Sequence, residues 1–462
     1  MSAAAGIDGH PTTPSSPKEV SMAPGPDETA ATATSAGRRV VVVGSGGREH
    51  ALATALGRTA EVSVTPGNPG IPGSIRLEPE LLGPESADLV VVGPEAPLVD
   101  GLADRLRSHG VRVLGPGADG ARLEGSKAWM KELFADAGIP TARHGSFDAV
   151  EPALAFLDTL GDLFVVKTDG LAAGKGVVVT ESRSDAADAV RQYLSGEAFG
   201  DAGRRIVIEE GLTGPELSVF ALTDGVRSVP MGSARDHKRI GDGDTGPNTG
   251  GMGAFSPVPS AGADIVGQVM DAAIEPTVAA LAARGIDYRG FLFCGLMLTP
   301  DGPKVLEYNV RFGDPEAQVV LPRITSDLVE LFMSAADGHL VGEPAFDDGA
   351  AVTVVCAAGG YPLAPVTGMP ISGIAEASAI EGVTVFCAGV AADGRRPDGG
   401  LESGITGVDS GVDAVLLVDG GRVLSITGQG PDVATARQRA YEAVAHIHFE
   451  GMQVRSDIAS SA

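Results

Sequence analysis

The segment "VLEYNVRFGDPEAQ" (residues 305–318) reads as a strand end with Glu307, Asn309 and Arg311 on alternate positions, hence on one face. Carboxylate and amide oxygens are the hard donors that Mg2+ or Mn2+ accepts, with remaining positions left to phosphate and water. Arg311 beside them could neutralise a phosphoryl group in transfer. Upstream, "VVKTDGLAAGKGVVV" (165–179) resembles a nucleotide P-loop only superficially. Gly176, not Ser or Thr, follows Lys175, and the loop runs into β-branched residues where a P-loop would open a helix. It is therefore expected to be a hairpin whose tip, with Gly170, Gly174 and Gly176, folds over phosphates as a water-excluding lid. Lys167 lies on the strand before the tip and Lys175 within it.

Three further segments carry polar chemistry. In "IEEGLTGPELSVF" (208–220), Glu209, Glu210 and Glu216 surround a turn, where a carboxylate can accept both hydroxyls of a ribose. "SARDHKRIGDGDTGPNTGGMGAFSP" (233–257) has no apolar face and is expected to lie outside the core, binding a phosphorylated sugar or a carboxylate. "VGSGGREH" (43–50) is a Gly turn opening a helix, whose free N–H groups favour phosphate. It fails as a dinucleotide fingerprint: Glu49 stands where a third glycine belongs, and the next strand ends in Thr65 instead of an acid.

Composition narrows the partners. Acidic residues outnumber basic ones 60 to 34, a formal charge of −26, which disfavours nucleic acid and anionic membranes. Only seven lysines occur, and Lys127, Lys167, Lys175 and Lys238 fall in polar motifs, as if placed for anions. No uninterrupted apolar run reaches the roughly 20 residues of a spanning helix. Cys294, Cys356 and Cys387 are isolated in apolar stretches and read as core thiols of a reducing compartment.

The elements that must position these groups follow from periodicity. Residues 1–38, rich in Ala, Pro, Ser, Thr and Gly, read as a disordered tail. Strands alternate with helices over 39–123, which implies a parallel sheet. Here "PLVDGLADRLRSHG" is expected to be one amphipathic helix. A mixed-sheet region spans 124–338, starting with the helix "GSKAWMKELFADAGI", which Pro140 should end. Its hairpins should turn at Asp224-Gly225 and Asp301-Gly302. Residues 345–462 form a third region with strands and a closing helix over 433–446.

Taken in order, "EGSK", "DGLAAGKGV", "DHKR", "DTGPNTGGMGA" and "RFGDPE", with "VVGPEAPLV" and "AAGGYP", resemble the phosphoribosylamine–glycine ligase family of the ATP-grasp superfamily, from Arg39 almost to the C-terminus. The resemblance implies an N-terminal α/β domain, an ATP-grasp core whose lid lobe (about 141–207) is mobile, and a C-terminal α+β domain. ATP would lie between the two lobes. Lys127 and Lys167 would reach its phosphates and Glu209 would sit at the adenine hinge and Glu216 at the ribose, with Gly170, Gly174, Lys175, Gly176 and Glu210 also at the ATP. Glu307 and Asn309 would hold Mg2+ or Mn2+. Arg311, Lys238 and Asp314 would act on the reacting groups. Gly46, Gly47, Arg48, Glu49, Asp236, Lys238, Asn248, Thr249, Gly250, Gly251 and Arg311 would bind phosphoribosylamine and glycine. The implied protein is a cytoplasmic monomer making glycinamide ribonucleotide through glycyl phosphate, for purine biosynthesis, without nucleic-acid or membrane partners. Two departures stand out: the bridge over 71–87 is short for the family, and Arg235 replaces an expected Gln. Three other readings fit less well: a different ATP-grasp carboxylate–amine ligase, a nicotinamide-dependent dehydrogenase, or a nucleotide-binding regulator without turnover.

Overall fold

The computed structural model describes residues 37–171, 176–196, 204–393, 415–460 and 462. Nearly all of the expected tail, and Gly174 and Lys175 of the glycine-rich tip, lie outside the described residues.

Consecutive valines can be buried on both faces only within a covered sheet. Val40–Val43 meet that condition in β1 (Arg39–Gly44). With β2 (Glu61–Pro66), β3 (Leu89–Val92) and β4 (Val113–Leu114) it forms a parallel sheet of order β2-β1-β3-β4. The helix Gly47–Leu56 follows the Gly turn. The single helix expected after β3 is instead two, Glu95–Val99 and Leu102–Ser108, because Gly101 between them turns left-handed at φ 81°. The short bridge from β2 to β3 carries only a 3-10 turn, Pro79–Leu81. Beyond Ser126, which caps it, the helix Lys127–Ala137 stops at left-handed Gly138, two residues before the Pro140 expected to end it.

A small antiparallel sheet follows, of order β5-β8-β6-β7. Its strands are β5 (His144–Phe147), β6 (Phe164–Thr168), β7 (Val177–Thr180) and β8 (Ile206–Glu210). The helices Val150–Leu157 and Arg183–Leu194 cover it and close a separate apolar core around Leu157, Val166, Val190 and Ile208. A separate core is what allows a lobe to move as one body.

The remaining strands are β9 (Glu216–Thr223), β10 (Ser228–Asp236), the ribbon β11 (Arg239–Gly241) with β12 (Thr245–Asn248), and β13 (Gly253–Ser256). After them come β14 (Gly290–Thr299), β15 (Gly302–Asn309), β16 (Ala350–Ala357), β17 (Val383–Cys387), the ribbon β18 (Val390–Ala392) with β19 (Leu416–Val418), and β20 (Arg422–Gly430). Eight of them make one sheet, β15-β14-β9-β10-β13-β16-β20-β17, so central and C-terminal regions share a continuous ladder. This overturns one expectation. The segment 233–257 does not lie wholly outside the core: Ser233–Asp236 and Gly253–Ser256 are strands within that sheet, with Ala234, Met252, Ala254 and Phe255 buried. Only residues 237–251 form the polar loop, since, Ile240 apart, the apolar side chains are confined to the segment's two ends.

The helical stretch Ala263–Ala283 is long and apolar enough to cross a membrane by length and composition. Val269, Ile274, Val278 and Leu281 bury one face of it in the main core, and Asp264, Asp271 and Glu275 interrupt its surface.

His50, on the helix Gly47–Leu56, is buried edge-on against Phe386, and its Nδ1 accepts the Cys387 N–H at 2.9 Å. Burial pulls its pKa from 6.5 to about 4. A folded-state value below the unfolded one means the unfolded chain binds the extra proton first. The stabilisation is therefore full above about pH 6.5 and fades as pH falls toward 4. Lowering the pH from 7.5 to 5 should cost on the order of 2 kcal/mol from this residue, measured by urea unfolding. His50→Asn, which keeps an acceptor for Cys387, should flatten that slope; an unchanged slope would refute the assignment.

Candidate active site

Two buried lysines meet one carboxylate where the small sheet adjoins the rest of the chain. Lys167 on β6 lies 3.0 Å from Glu209 Oε1, and Lys131 lies 3.2 Å from the same oxygen. Lys131 also donates to Thr141 Oγ1 at 2.6 Å. Burial draws the Lys131 ammonium down to about 8, with Glu209 opposing. Glu209 stays below the ordinary carboxylate value because Lys167 and Lys131 outweigh its burial. Lys167 reaches past Glu209 to the Leu306 carbonyl at 3.3 Å, one residue from Glu307. Lys127, at the start of its helix, donates to the Gly170 carbonyl at 3.0 Å, and the same turn holds Asp169 through Ser126 Oγ and the Ala128 N–H. Gly176, on the other side of the tip, accepts from Thr168 N at 2.9 Å.

Glu307 is the centre of charge. Burial raises its carboxyl pKa, but Lys238, Lys167, Lys127 and Arg311 together hold it below the ordinary value. Those four cations come from four separate segments of the chain. Lys238 lies between β10 and β11 and pairs with Glu216 at 2.6 Å; both side chains stay about two-fifths exposed to the cleft. Burial would lower the Lys238 pKa, yet Asp236, Glu216 and Glu307 push it well above the ordinary value, so it remains an ammonium.

Arg311, just after β15, joins three parts of the chain. It donates to Glu124 Oε1 at 2.7 Å, Glu95 Oε2 at 3.2 Å, Asn309 Oδ1 at 3.1 Å and the Phe312 carbonyl at 3.2 Å. Nearby, Asp314 pairs with Arg422 at 3.0 Å and accepts from Gln318 Nε2 at 2.7 Å. Arg422 also donates to the Gly250 carbonyl at 2.6 Å. Gly251, at φ 113°, presses the loop onto Pro315, where a Cβ would sit 2.5 Å from the ring. Thr249 closes the loop on Lys238 through N–H and hydroxyl bonds of 2.7 and 2.8 Å to its carbonyl.

Of the expected residues, Lys127, Lys167, Gly170, Gly176, Glu209, Glu216, Lys238, Thr249, Gly250, Gly251, Glu307, Asn309, Arg311 and Asp314 fall in this network, while Gly174 and Lys175 lie outside the described residues. Gly46 and Gly47 reach the Asp314–Gln318 group: a Cβ on Gly46 would stand 3.7 Å from Asp314 Oδ2, and one on Gly47 would meet Gln318. Glu49, by contrast, is buried and serves the turn itself, accepting from Gly46 N at 2.6 Å and pairing with Arg48 at 2.6 Å. Glu210, next to Glu209 and so on the other side of β8, accepts from Arg143 N at 2.9 Å. Asn248 is exposed on β12. Sequence reading gave no role to Glu95, Glu124, Lys131, Arg422 or Gln318. Glu95 and Glu124 do lie in quoted motifs, but nothing local shows their common partner. A cavity of about 470 Å³ elsewhere, lined by Arg107, Arg112 and Arg289, is not part of this cleft. Arg112 is already paired with Asp337 and Arg289 with Asp287, and Arg107 is bonded to the carbonyls of Val113 and Gly115.

Family models match this chain in three consecutive pieces: the N domain of phosphoribosylglycinamide synthetase over residues 38–124, its ATP-grasp (A) domain over 125–317 and its C domain over 351–461. The chain belongs to the phosphoribosylamine–glycine ligase family. The phosphoribosylamine–glycine ligase of Vibrio parahaemolyticus is 44% identical over 437 residues, covering 91% of this chain and 97% of that protein. The ligase of Brucella melitensis is 45% identical over 435 residues with the same coverage. The crystal structure of the Thermotoga maritima ligase superposes with a TM-score of 0.76 at 35% identity, over 91% of this chain and all of that one. Membership makes the chain an ATP-using ligase that forms a carbon–nitrogen bond and has the ATP-grasp fold.

Proposed function

We propose that this cleft joins glycine to phosphoribosylamine at the expense of ATP, through glycyl phosphate. The observation that carries the reading is that Lys127 donates to the Gly170 carbonyl at the glycine-rich hairpin while Lys167 donates to the Leu306 carbonyl next to Glu307, so the hairpin and the strand of Glu307 meet at one cleft, where Lys238, Lys167, Lys127 and Arg311 all lower the Glu307 pKa. Lys167 is also paired with Glu209, Lys238 with Glu216, and Arg311 with Glu95 and Glu124, so a bound polyphosphate would draw Lys127, Lys167 and Lys238 onto its own charge. Lys127 and Lys167 hold the phosphates under the hairpin bearing Gly170, Gly174, Lys175 and Gly176. Glu209 lies at the adenine hinge with Glu210 beside it, and Glu216 takes the ribose, for which Lys238 must release it. Asp236, Asn248, Thr249, Gly250 and Gly251, with Gly46, Gly47 and Arg48 opposite on the turn that Glu49 fixes, enclose the sugar phosphate and glycine.

The metal fits this donor set. Among the described residues no three His, Cys, Asp or Glu side chains gather for an ion. Mg2+, however, commonly takes only one or two protein oxygens and completes its shell with phosphate and water. Glu307 and Asn309 would hold Mg2+ or Mn2+, which would neutralise charge on the phosphates. The chain's own part is to align the glycine carboxylate with the terminal phosphoryl, with Lys238 and Arg311 facing the charge that develops and Asp314 held ready by Arg422. A glycine carboxylate oxygen attacks the γ-phosphorus and ADP leaves. The amine of phosphoribosylamine then attacks the acyl carbon, loses a proton, and expels phosphate. No side-chain nucleophile is needed.

One glycine oxygen must leave in the phosphate. With 18O-labelled glycine carboxylate, mass spectrometry of the released phosphate should find one labelled oxygen per turnover. Unlabelled phosphate would exclude the acyl phosphate. The reading also places a monomeric enzyme in the cytoplasm; its three cysteines are buried thiols, with pKa values pushed by burial to about 12.

A further inference from the structure

Residues 453–459, which follow the helix Val433–Val444, run back to the polar loop that carries Lys238. Arg455 is 1% exposed, and its guanidinium uses every face. Its Nε and Nη2 donate to the two oxygens of Asp457 at 2.8 and 2.7 Å. Its Nη1 donates to Asp244 Oδ1 at 2.7 Å and to the carbonyl of Arg239, the residue after Lys238, at 3.0 Å. Asp457 in turn accepts the Gly243 N–H at 2.8 Å, and Asp242 accepts the Ser456 N–H at 2.8 Å. The tip of the β11–β12 ribbon, Asp242-Gly243-Asp244, is thus bonded residue by residue to Arg455, Ser456 and Asp457. Asp244 holds φ 54°, a left-handed conformation that a non-glycine residue keeps only when neighbours fix it.

We propose that Arg455 is a positioning residue: with Asp457 it clamps the ribbon tip, and so sets where Lys238, Asn248 and Thr249 stand for the phosphoribosylamine substrate. This rests on the substrate assignment of that loop made above. The ribbon transmits the constraint because Arg239 pairs with Asn248 and Thr249 is bonded to the Lys238 carbonyl. The clamp is not what holds the core. Residues 242–248 are exposed, and the loop's buried apolar contribution is the small cluster of Met252 with Val355 and Ala357, against which Ile240 packs. Nor does the strap itself depend on the Arg455 guanidinium. Tyr441 Oη donates to the Arg455 carbonyl at 2.8 Å and accepts from Ile458 N at 3.1 Å, while Arg437 donates to the carbonyls of Ile458 and Ser456. Removing that guanidinium therefore takes away the charged anchor of the ribbon at Asp244 and the Arg239 carbonyl, loosens the tip that the Gly243–Asp457 and Asp242–Ser456 bonds alone then hold, and leaves the strap seated.

The test uses the full chain and steady-state ADP release. Arg455→Met should raise KM for phosphoribosylamine about tenfold, while KM for ATP and the affinity for ADP alone stay within about twofold. Arg455→Lys should give an intermediate KM, and adding Asp244→Asn to Arg455→Met should add little, since both break one contact. A role confined to stability would lower the active fraction and leave KM for phosphoribosylamine unchanged, which overturns the proposal. Should Arg455→Met fail to fold, Arg455→Lys decides the same question, with hydrogen exchange expected to quicken at residues 239–250 and not in β9 or β14. Wild-type protein whose ADP release ignores phosphoribosylamine would instead refute the substrate assignment.

Discussion

Glu307→Ala is expected to lower ADP release, measured with glycine, freshly prepared phosphoribosylamine and divalent metal, by about 10³-fold. The carboxylate has two tasks, and alanine does neither. It offers the only side-chain carboxylate of the oxygen pair that Glu307 and Asn309 present on β15, and it is the anion whose pKa Lys238, Lys167, Lys127 and Arg311 lower. Without it those cations repel one another in a partly enclosed cleft, and Lys238 is drawn to Asp236 and Glu216. Nucleotide should still bind, because the lysines remain, so calorimetric ADP affinity should change far less than the rate. Metal titration separates the two tasks: the wild-type rate should saturate with Mg2+, and the variant rate should stay flat. A variant keeping more than a tenth of the wild-type rate at saturating metal would mean that phosphoryl transfer occurs elsewhere.

What could be read from the sequence follows a physical division. The strand holding Glu307 and the hairpin holding Lys167 were legible because a period of two and a Gly-rich turn are local signals. Glu307 and Asn309 lie on β15 and Lys167 on β6, antiparallel to β7, as expected, whereas Arg311, expected on the same strand face, lies past the end of β15 at Asn309. Helix ends were less legible. Gly101 and Gly138 ended helices earlier than the apolar periodicity and Pro140 implied, because a left-handed residue outweighs a pattern that could have continued. The polar loop misled in a different way: its Gly and Asp content masked two short core strands, whose burial depends on β10, β13 and β16 meeting across the chain. Groups that act through distant partners gave no signal at all. Lys131 looks like any helical lysine until Glu209 is seen beside it, and Arg455 looks like a terminal charge until Asp244 and Asp457 close on it.

Arg311 poses the sharpest question, because its surroundings allow a structural role as well as a chemical one. Its guanidinium is buried against Glu124, whose side chain is only 8% exposed, and Glu95. Those two carboxylates raise its pKa above an already high value, so it is charged at any working pH. Arg311→Met should abolish measurable turnover, a fall of at least about 10²–10³-fold, and also lower stability by about 3–5 kcal/mol, because it strands the Glu124 charge in the interior. The stability loss alone could account for an inactive protein, so a second change has to separate the effects. Glu124→Gln removes the stranded charge and keeps an acceptor for the Val310 N–H, which Glu124 holds at 2.9 Å. The double variant Arg311→Met/Glu124→Gln should therefore recover most of the lost urea stability and none of the lost rate. If turnover returns to within tenfold of wild type along with stability, Arg311 serves only to pin Glu95 and Glu124 to the end of β15. If stability returns alone, its positive charge is needed where the phosphoryl group moves.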